Sequence, residues 1–180
     1  MQQIQRISKT QNKTFDLVIT AVLISLVFVA TNFNIKLPIS AKGGLVHLGT
    51  AMLFTISILF GPKKGAIAGA VGMGLFDIFG GWLIWAPITI VARGVQGYIV
   101  GKIAFLHDKK GTNLAFNITA AVVSIPVMVA VYYIGEVILY HNWVAPLASI
   151  PGDLVQNILG LVIAIPLCAF LKKVPYFKNI

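Results

Sequence analysis

The sequence from Gly61 to Gly101 reads GPKKGAIAGAVGMGLFDIFGGWLIWAPITIVARGVQGYIVG. It begins with a turn that carries two lysines and continues as an apolar segment rich in glycine and alanine. A second turn with two tryptophans separates this segment from another apolar one. Asp77 lies in the first apolar segment and Arg93 in the second. Two apolar helices that each contain one charge predict a packed bundle around a polar site.

The composition is typical of a membrane protein with several spans. Of the 180 residues, 58% are hydrophobic and 11% are charged, and the mean hydropathy is +0.90. Soluble domains carry about 25% charged residues, and a spanning helix needs about 20 apolar ones. We therefore predict an all-α integral membrane protein with one domain, residues 1–180, and six transmembrane helices. The predicted spans are Phe15–Asn32, His47–Phe60, Ala66–Gly81, Ala86–Leu106, Leu114–Leu139 and Pro151–Leu171.

The basic residues predict the orientation, because lysine and arginine are enriched in cytoplasmic loops. With both termini inside, 11 of the 14 basic residues are cytoplasmic, Lys36 and Lys42 are outside, and Arg93 lies within a span. Residues 1–14 are then a basic cytoplasmic tail. Residues 33–46 form the longest loop, on the outer side, and we expect them to fold over the bundle as a lid or as a packed connector. The net charge of +9 thus reflects membrane topology and not binding to nucleic acid.

Asp77 and Arg93 are predicted to lie at similar depths. Asp77 is four residues before the outer end of its span and Arg93 is seven residues after the outer start of its own, or about 6 and 10 Å at 1.5 Å per residue. A charge within the bilayer costs about 2.5–3.5 kcal/mol, so both are candidates for function. The matching depth predicts an Asp77–Arg93 ion pair that fixes the helix register, or else a direct contact with a ligand.

Further polar residues of the last three spans also fall in the outer half. Thr89 and Gln96 flank Arg93 at helical spacing, and Asn157 lies four residues after Asp153. This bias favours a polar ligand pocket over scattered hydrogen bonds between helices. Trp85, one turn before Thr89, is an interface anchor or a stacking platform for a planar ligand. The predicted ligand-binding residues are Trp85, Thr89, Arg93, Gln96, Tyr133, Glu136, Asp153, Asn157 and Lys42.

Several chemistries are not supported by the sequence. His47, His107 and His141 do not have the spacing of metal ligands, so we predict neither a metal site nor a cofactor. The phosphate-binding motif of ATPases and the usual serine and cysteine nucleophile motifs are absent from the sequence. We therefore do not expect the chain to be an enzyme.

Two sequences resemble the S components of energy-coupling factor (ECF) vitamin transporters. They are VHLGTAMLFTISILFGPKKGAIAGAVGMGLFDIFGGW from Val46 to Trp82, and WAPITIVARGVQG from Trp85 to Gly97. His47 stands where Asn is frequent in that family, and Thr50 where Asp is frequent. Ala21 and Ser25 are similar to the Ala-x-x-x-Ala face of the family's first helix, which docks the T component. The resemblance covers nearly the whole chain.

The resemblance implies a subunit of the cell (plasma) membrane that binds a vitamin or precursor from outside. It implies as partners a T component and two ABC-type ATPases, and toppling in the membrane to release the substrate. It places the ligand in the outer half, between spans 4 to 6 and under the first outer loop. The pattern most resembles the hydroxymethylpyrimidine/pyridoxine type.

Other functions are kept as alternatives. The main one is a small secondary transporter that works alone, with Asp77, Arg93 and Glu136 as a proton relay. A membrane enzyme acting on lipid or prenyl groups would need catalytic motifs that the sequence lacks. A purely structural bundle does not explain the polar outer half.

Overall fold

Long helices and one short β-hairpin make up the fold. The computed structural model describes residues 2–37 and 44–178, with the side chains of residues 13–35, 45–175 and 177. The hairpin consists of β1 (Asn34–Leu37) and β2 (Gly44–His47), and short 3-10 turns lie at Leu106–Asp108 and Ala145–Ala148. The helices are α1 (Gln2–Asn32), α2 (Gly49–Phe79), α3 (Ala86–Ala104), α4 (Leu114–Tyr140), α5 (Ile150–Leu171) and α6 (Pro175–Lys178).

Helix α2 is a helical hairpin that reverses at Gly61. Gly61 has φ 83° and ψ −176°, a conformation that glycine adopts without steric cost. Beyond it, the two arms run back along each other, so that a Cβ at Gly65 would lie 2.7 Å from Cβ of Ser57. The predicted reversal is therefore present. The predicted five-residue turn is not, because the helix resumes at Pro62 and Lys63 and Lys64 lie within it; proline is favourable in a first helical turn.

With the arms of α2 counted separately, the long helical segments correspond to the six predicted spans, although α1 begins at Gln2, well before the predicted Phe15. The helices that are long and apolar enough to cross a membrane lie within Lys13–Asn32, Gly49–Phe79, Leu114–Tyr140 and Ala145–Leu171. Helix α3 falls outside this group because Arg93, Gln96 and Lys102 interrupt its apolar sequence. The chain is thus a helical membrane protein. Six crossings and cytoplasmic termini stay predictions.

The segments outside the spans differ from the purely helical prediction. Asn34–Leu37 pairs antiparallel with Gly44–His47, with Asn34 opposite His47. Backbone hydrogen bonding thus gives both described ends of the predicted outer loop a regular structure that the mixed sequence did not indicate, and β2 packs against α5. Residues 38–43, including Lys42, lie outside the described residues. At the other end, α1 begins at Gln2, so the predicted tail is helical where it is described.

Glycines bring α2 into close contact with its neighbours on two faces. A Cβ at Gly97 of α3 would lie 2.5 Å from the carbonyl oxygen of Gly65, and one at Gly72 would lie 2.7 Å from Cβ of Val27 on α1. Small residues allow helix backbones in a membrane to approach in this way. The packing agrees with the close approach expected from the glycine-rich sequence.

Basic residues gather at one end of the bundle, and the β-hairpin lies at the other. Near the reversal of α2, the ring of Phe105 lies 3.4 Å from the position of a Cβ at Gly61, and Phe60 contacts Phe177 at 5.9 Å between ring centroids. At this end, Nζ of Lys64 forms an ion pair with Asp16 at 2.6 Å, which joins α2 to α1. The lysines at or beside these contacts are Lys63, Lys64, Lys102, Lys109, Lys110 and Lys172.

Candidate functional site

A cavity of about 150 Å³ lies at the end of the bundle opposite the basic residues. Its lining comes mainly from β2, the C-terminal part of α2, and helices α3, α4 and α5. Its lining combines aromatic rings, carboxylates and one guanidinium in a largely apolar protein. The lining residues are Leu45, His47, Asp77, Trp82, Trp85, Thr89, Arg93, Tyr132, Glu136, Tyr140, Ser149, Gly152, Asp153 and Gln156.

Arg93 is held by uncharged groups. Its side chain is 2% exposed, and Nη1 donates to Oε1 of Gln96 at 2.9 Å and to Oγ1 of Thr50 at 3.5 Å. The guanidinium carbon lies 5.2 Å from the centre of the Tyr132 ring, within cation–π range. The cation is therefore fixed in place by neutral groups, and none of the carboxylates that the structure describes forms an ion pair with it.

Gln156 connects Arg93 to the β-hairpin. Only one orientation of its amide pairs every donor with an acceptor. In that orientation, its oxygen accepts from Nη2 of Arg93 at 2.9 Å, from Nε2 of His47 at 2.9 Å and from Oγ1 of Thr50 at 2.7 Å. Its nitrogen donates to the Leu45 carbonyl oxygen at 2.8 Å. One amide thus joins α5, α3, α2 and β2 beside the cavity.

Gln96 and Asn157 lie in a layer behind the lining. Nε2 of Gln96 donates to Oδ1 of Asn157 at 2.7 Å, and Nδ2 of Asn157 donates to the backbone oxygen of Asp153 at 2.7 Å. Both side chains are fully buried. These two predicted ligand-binding residues do not line the cavity, because they are used in fixing Arg93 and in joining α3 to α5.

Asp77, Glu136 and Asp153 bring three carboxyl groups to the cavity. Oε2 of Glu136 accepts from Oγ of Ser149 at 2.8 Å. Asp77 is 9% exposed, and its Oδ2 has no hydrogen-bond partner among the described residues. Asp153 lies in the first turn of α5.

The predicted Asp77–Arg93 ion pair is not formed. Both side chains line the cavity, but the described side chains include no contact between them within 4.0 Å. The reason is the direction of the guanidinium, whose Nη1 and Nη2 point to Gln96 and Gln156 instead. The similar depth deduced from the sequence agrees with the position of both residues at one cavity. It did not indicate the direction in which the guanidinium of Arg93 points.

His47 is an uncharged member of the lining. Burial, with a smaller effect of the nearby Arg93, lowers the pKa of its imidazole from 6.5 to about 3. Nε2 therefore carries the hydrogen that Gln156 accepts. Within the described part of the chain, no group of three or more His, Cys, Asp or Glu side chains is arranged to hold a metal ion.

Aromatic rings occupy the side of the cavity near the end of the bundle. Trp85 and Tyr140 pack edge to face, with ring centroids 5.9 Å apart. The hydroxyl of Tyr132 donates to Oγ1 of Thr89 at 3.0 Å, which joins α4 to α3. Trp82 also lines the cavity, from the turn between α2 and α3. Such rings offer flat apolar surfaces to a planar ligand.

Five of the predicted ligand-binding residues line the cavity, namely Trp85, Thr89, Arg93, Glu136 and Asp153. Tyr133 does not, since its hydroxyl donates to the backbone oxygen of Trp143 at 2.7 Å. The neighbouring residue Tyr132 lines the cavity instead of Tyr133. Lys42, the remaining predicted contact, lies outside the described residues. Whether any lining residue contacts a ligand stays a prediction. The lining residues not predicted as ligand contacts are Leu45, His47, Asp77, Trp82, Tyr132, Tyr140, Ser149, Gly152 and Gln156.

A pattern in the sequence could have identified two of these additional residues. Tyr132 and Tyr140 lie four residues before and after Glu136, so they share its face of α4. Gln156 stands in the same relation to Gly152 on α5. By contrast, His47 had no local pattern, because its position depends on the pairing of β2 with β1.

The predicted docking residues lie on the outside of α1. Ala21 and Ser25 are exposed, and Oγ of Ser25 donates to the backbone oxygen of Ala21 at 2.9 Å. The serine hydroxyl is thus satisfied within its own helix and leaves a small, flat surface. Docking of a partner there stays a prediction.

Sequence comparisons give matches over most of the chain. The model of a family described as "ECF-type riboflavin transporter, S component" matches residues 11–173. The thiamine precursor transporter HmpT of Lactococcus lactis subsp. cremoris is 30% identical over 149 residues, which cover 82% of each chain. An uncharacterized protein of Pyrococcus woesei is 34% identical over 143 residues, 79% of this chain and 93% of its own. A UPF0397 protein of Aliivibrio salmonicida is similar over a shorter stretch, with 33% identity over 60 residues, 33% of this chain and 32% of its own.

Proposed function

Because this chain belongs to the family of S components of ECF-type riboflavin transporters, we propose that it captures a single-ring vitamin precursor for an ATP-driven importer. The family and the relation to a thiamine precursor transporter make the chain a vitamin- or precursor-binding subunit of a membrane transporter. The identity of the substrate, the partners and the orientation are inferences, each with its own support.

The size of the cavity is the observation that carries the choice of substrate. A cavity of about 150 Å³ in another protein holds one benzene molecule. The cavity described here has the same volume, about 150 Å³, so it suits a ligand with one six-membered ring. Riboflavin has three fused rings and a ribityl chain and is much larger.

The chemistry of the lining favours a hydroxylated heteroaromatic ring. Trp85 and Tyr140 offer aromatic surfaces, while Asp77, Asp153 and Arg93 supply acceptors and donors around them. Polar groups placed among aromatic surfaces can fix the orientation of a small molecule in its site. Hydroxymethylpyrimidine and pyridoxine have this combination of a flat ring and hydrogen-bonding substituents, and HmpT is a thiamine precursor transporter.

The arrangement of charges supports entry from outside the cell. The cavity and the cluster of lysines around Gly61 lie at opposite ends of the bundle, and lysine-rich ends face the cytoplasm. The cavity then opens in the outer half of the membrane, with both termini inside. Because β2 contributes Leu45 and His47 to the lining, the hairpin that includes it is suited to act as a lid over the ligand.

The chain is proposed to work with a T component and two ABC-type ATPases, and not to hydrolyse ATP itself. The support for this proposal is the family, whose ECF-type transporters are assembled from an S component and other subunits. Ala21 and Ser25 on the exposed face of α1 are the proposed docking residues. Release of the substrate then follows from toppling of the bundle against the T component.

A binding experiment tests the choice of substrate. The purified protein is titrated calorimetrically with hydroxymethylpyrimidine, pyridoxine and riboflavin. We expect one of the single-ring compounds to bind at least about a hundredfold more tightly than riboflavin, a difference of about 2.7 kcal/mol. Tight binding of riboflavin with no binding of either single-ring compound would overturn the proposal.

An uptake experiment separates this function from that of a secondary transporter that works alone. Accumulation of the radiolabelled substrate is measured in cells that make the chain with or without the T component and ATPases. We expect uptake only with those partners, because the family is that of a transporter subunit. Full uptake without them would support the proton relay through Asp77, Arg93 and Glu136 instead.

A further inference from the structure

We propose that the cargo is bound in a positively charged form, with Asp77 and Asp153 as the carboxylates that balance its charge. The inference rests on the proposed function, since it concerns the ligand of the same cavity. It specifies a property of the substrate that cavity size and ring shape leave open, namely its charge. It also assigns the recognition of that charge to two particular side chains.

The charged residues around the cavity are mostly acidic. Asp77, Glu136 and Asp153 are acidic and Arg93 is basic, so the lining holds three carboxyl groups against one guanidinium. His47 adds no positive charge near neutral pH, because burial lowers its pKa to about 3. An empty cavity with excess negative charge is unfavourable where water is scarce. A cationic ligand would remove part of that excess.

Arg93 does not form an ion pair with Asp77 or Asp153 among the described side chains. Its Nη1 and Nη2 donate to the amide oxygens of Gln96 and Gln156, each at 2.9 Å. Asp77 and Asp153 form no ion pair within 4.0 Å with any side chain that the structure describes. The guanidinium is thus used in joining helices, and the two carboxylates stay available to a ligand.

One carboxylate oxygen of Asp77, beside the cavity, has no hydrogen-bond partner among the described residues. Asp77 is 9% exposed, and its Oδ2 has no partner among the described residues. Leaving a buried acceptor without a hydrogen bond costs free energy, so such an atom in a ligand-binding protein points to a donor from the ligand. A protonated ring nitrogen or an exocyclic amino group would supply both the hydrogen and the charge.

The location of the carboxylates in their helices agrees with this role. Asp77 lies in the last turn of α2, where the helix dipole disfavours a negative charge, and Asp153 lies in the first turn of α5, where the dipole favours one. A cationic ligand would therefore stabilise the negative charge of Asp77 in particular. The indole of Trp85 also lines the cavity, and the face of such a ring attracts cations.

The chemical class that fits is an amino-substituted nitrogen heteroaromatic ring that accepts a proton. The same ring with an oxo group in place of the amino group is uncharged, and its oxygen would face carboxylate oxygens. The cavity should therefore distinguish these two compounds although they have nearly the same size. Size and stacking alone would not distinguish them.

The test is a calorimetric titration of the purified full chain with two probes. The first is hydroxymethylpyrimidine carrying an exocyclic amino group, and the second is the otherwise identical compound carrying an oxo group. We expect the amino compound to bind at least about tenfold more tightly, because the uncharged oxo compound would leave a buried carboxylate without its charged partner. In Asp77→Asn and in Asp153→Asn, which keep the shape but remove the charge, that preference should fall by about tenfold.

The control is Asp108→Asn, which makes the same chemical change at an exposed position in the turn after α3. It should keep the full preference for the amino compound. Equal binding of the two probes by the unaltered chain, or an unchanged preference in both cavity variants, would overturn the inference while leaving the proposed function intact. If the unaltered chain binds neither of these probes nor pyridoxine, the proposed single-ring substrate is wrong, and the inference fails with it. The comparison of the two probes needs no variant, so it stays decisive if a variant does not fold.

Discussion

Arg93 donates from Nη1 to Oε1 of Gln96 at 2.9 Å, and the same Gln96 donates to Oδ1 of Asn157 at 2.7 Å. The arginine is therefore part of a hydrogen-bonded layer that joins α3 to α5 behind the cavity. This layer fixes the position of the charge before any ligand enters. The account depends on it, because a cation held by neutral amides leaves the carboxylates of the cavity available to the substrate.

A double-mutant cycle should show that Asp77 and Arg93 are not an ion pair. We expect the coupling between Asp77→Asn and Arg93→Gln to be below about 1 kcal/mol in the free energy of unfolding, because residues without a direct contact couple weakly, whereas residues in contact couple by up to about 3 kcal/mol. The measurement is chemical unfolding of the ligand-free protein in detergent for the unaltered chain, both single variants and the double variant. A coupling of about 3 kcal/mol would restore the ion pair that the sequence predicted.

Gly97→Ala should destabilise the bundle more than Gly94→Ala. A Cβ at Gly97 would lie 2.5 Å from the carbonyl oxygen of Gly65, whereas one at Gly94 would lie 3.3 Å from Cβ of Ala70. Backbone cannot give way as a side chain can, so we expect a loss of about 1–3 kcal/mol at Gly97 and a small effect at Gly94. Thermal unfolding of both variants compares two positions on one helix. Equal melting temperatures would show that α2 and α3 are not in backbone contact at Gly65.

The stability of the protein should fall on acidification because of His47. Its pKa is about 3 in the folded protein and 6.5 otherwise, so between these values the unfolded chain binds the additional proton. Each pH unit below about 6.5 then costs up to about 1.4 kcal/mol, and the effect is absent above about pH 7. His47→Gln, which keeps an N–H donor for Gln156, should reduce the slope of melting temperature against pH.

The matched control for that experiment is His107→Gln, since His107 is exposed at the opposite end of the bundle. It should keep the slope of the unaltered protein. If His47→Gln and the unaltered chain lose stability in parallel from neutral pH to about pH 5, the imidazole of His47 is not the group responsible.

Ala21→Trp and Ser25→Trp should separate binding from transport. Both positions are exposed on α1, away from the lining of the cavity, so we expect the affinity for the substrate to stay within about threefold. Uptake in cells should be lost, because close packing of helices needs a small, flat face. Val123→Trp is the control, because Val123 is 44% exposed on α4 and should tolerate the ring. Normal uptake by both α1 variants would show that this face does not dock the partner.

The sequence was informative wherever a local pattern decides the structure. Runs of apolar residues predicted most helix ends to within a few residues, except for the start of α1 at Gln2, and Gly61-Pro62 marked the reversal of α2. The residues of α3 were found because Trp85, Thr89 and Arg93 repeat every four positions and must share a face. Each of these features depends on neighbours in the chain and not on the tertiary fold.

Rotation of a helix and pairing of distant segments could not be obtained in this way. Tyr133 was predicted where Tyr132 lines the cavity, and one residue corresponds to a rotation of about 100°. The orientation of Arg93 depends on Gln156, which lies 63 positions away along the chain. Likewise, His47 reaches the cavity through the pairing of β1 with β2. These arrangements arise from packing between elements that are distant in the chain, and local patterns in one sequence do not reveal such packing.

The most direct measurement is mass spectrometry of the small molecules that the protein retains when it is purified from its natural membrane. The account predicts one single-ring, amino-substituted nitrogen heteroaromatic compound in an amount close to that of the protein. This compound should be lost from Asp77→Asn and kept by Asp108→Asn. Recovery of riboflavin or another multi-ring compound in that amount would contradict the account, which assigns the cavity of about 150 Å³ to a ligand with one ring.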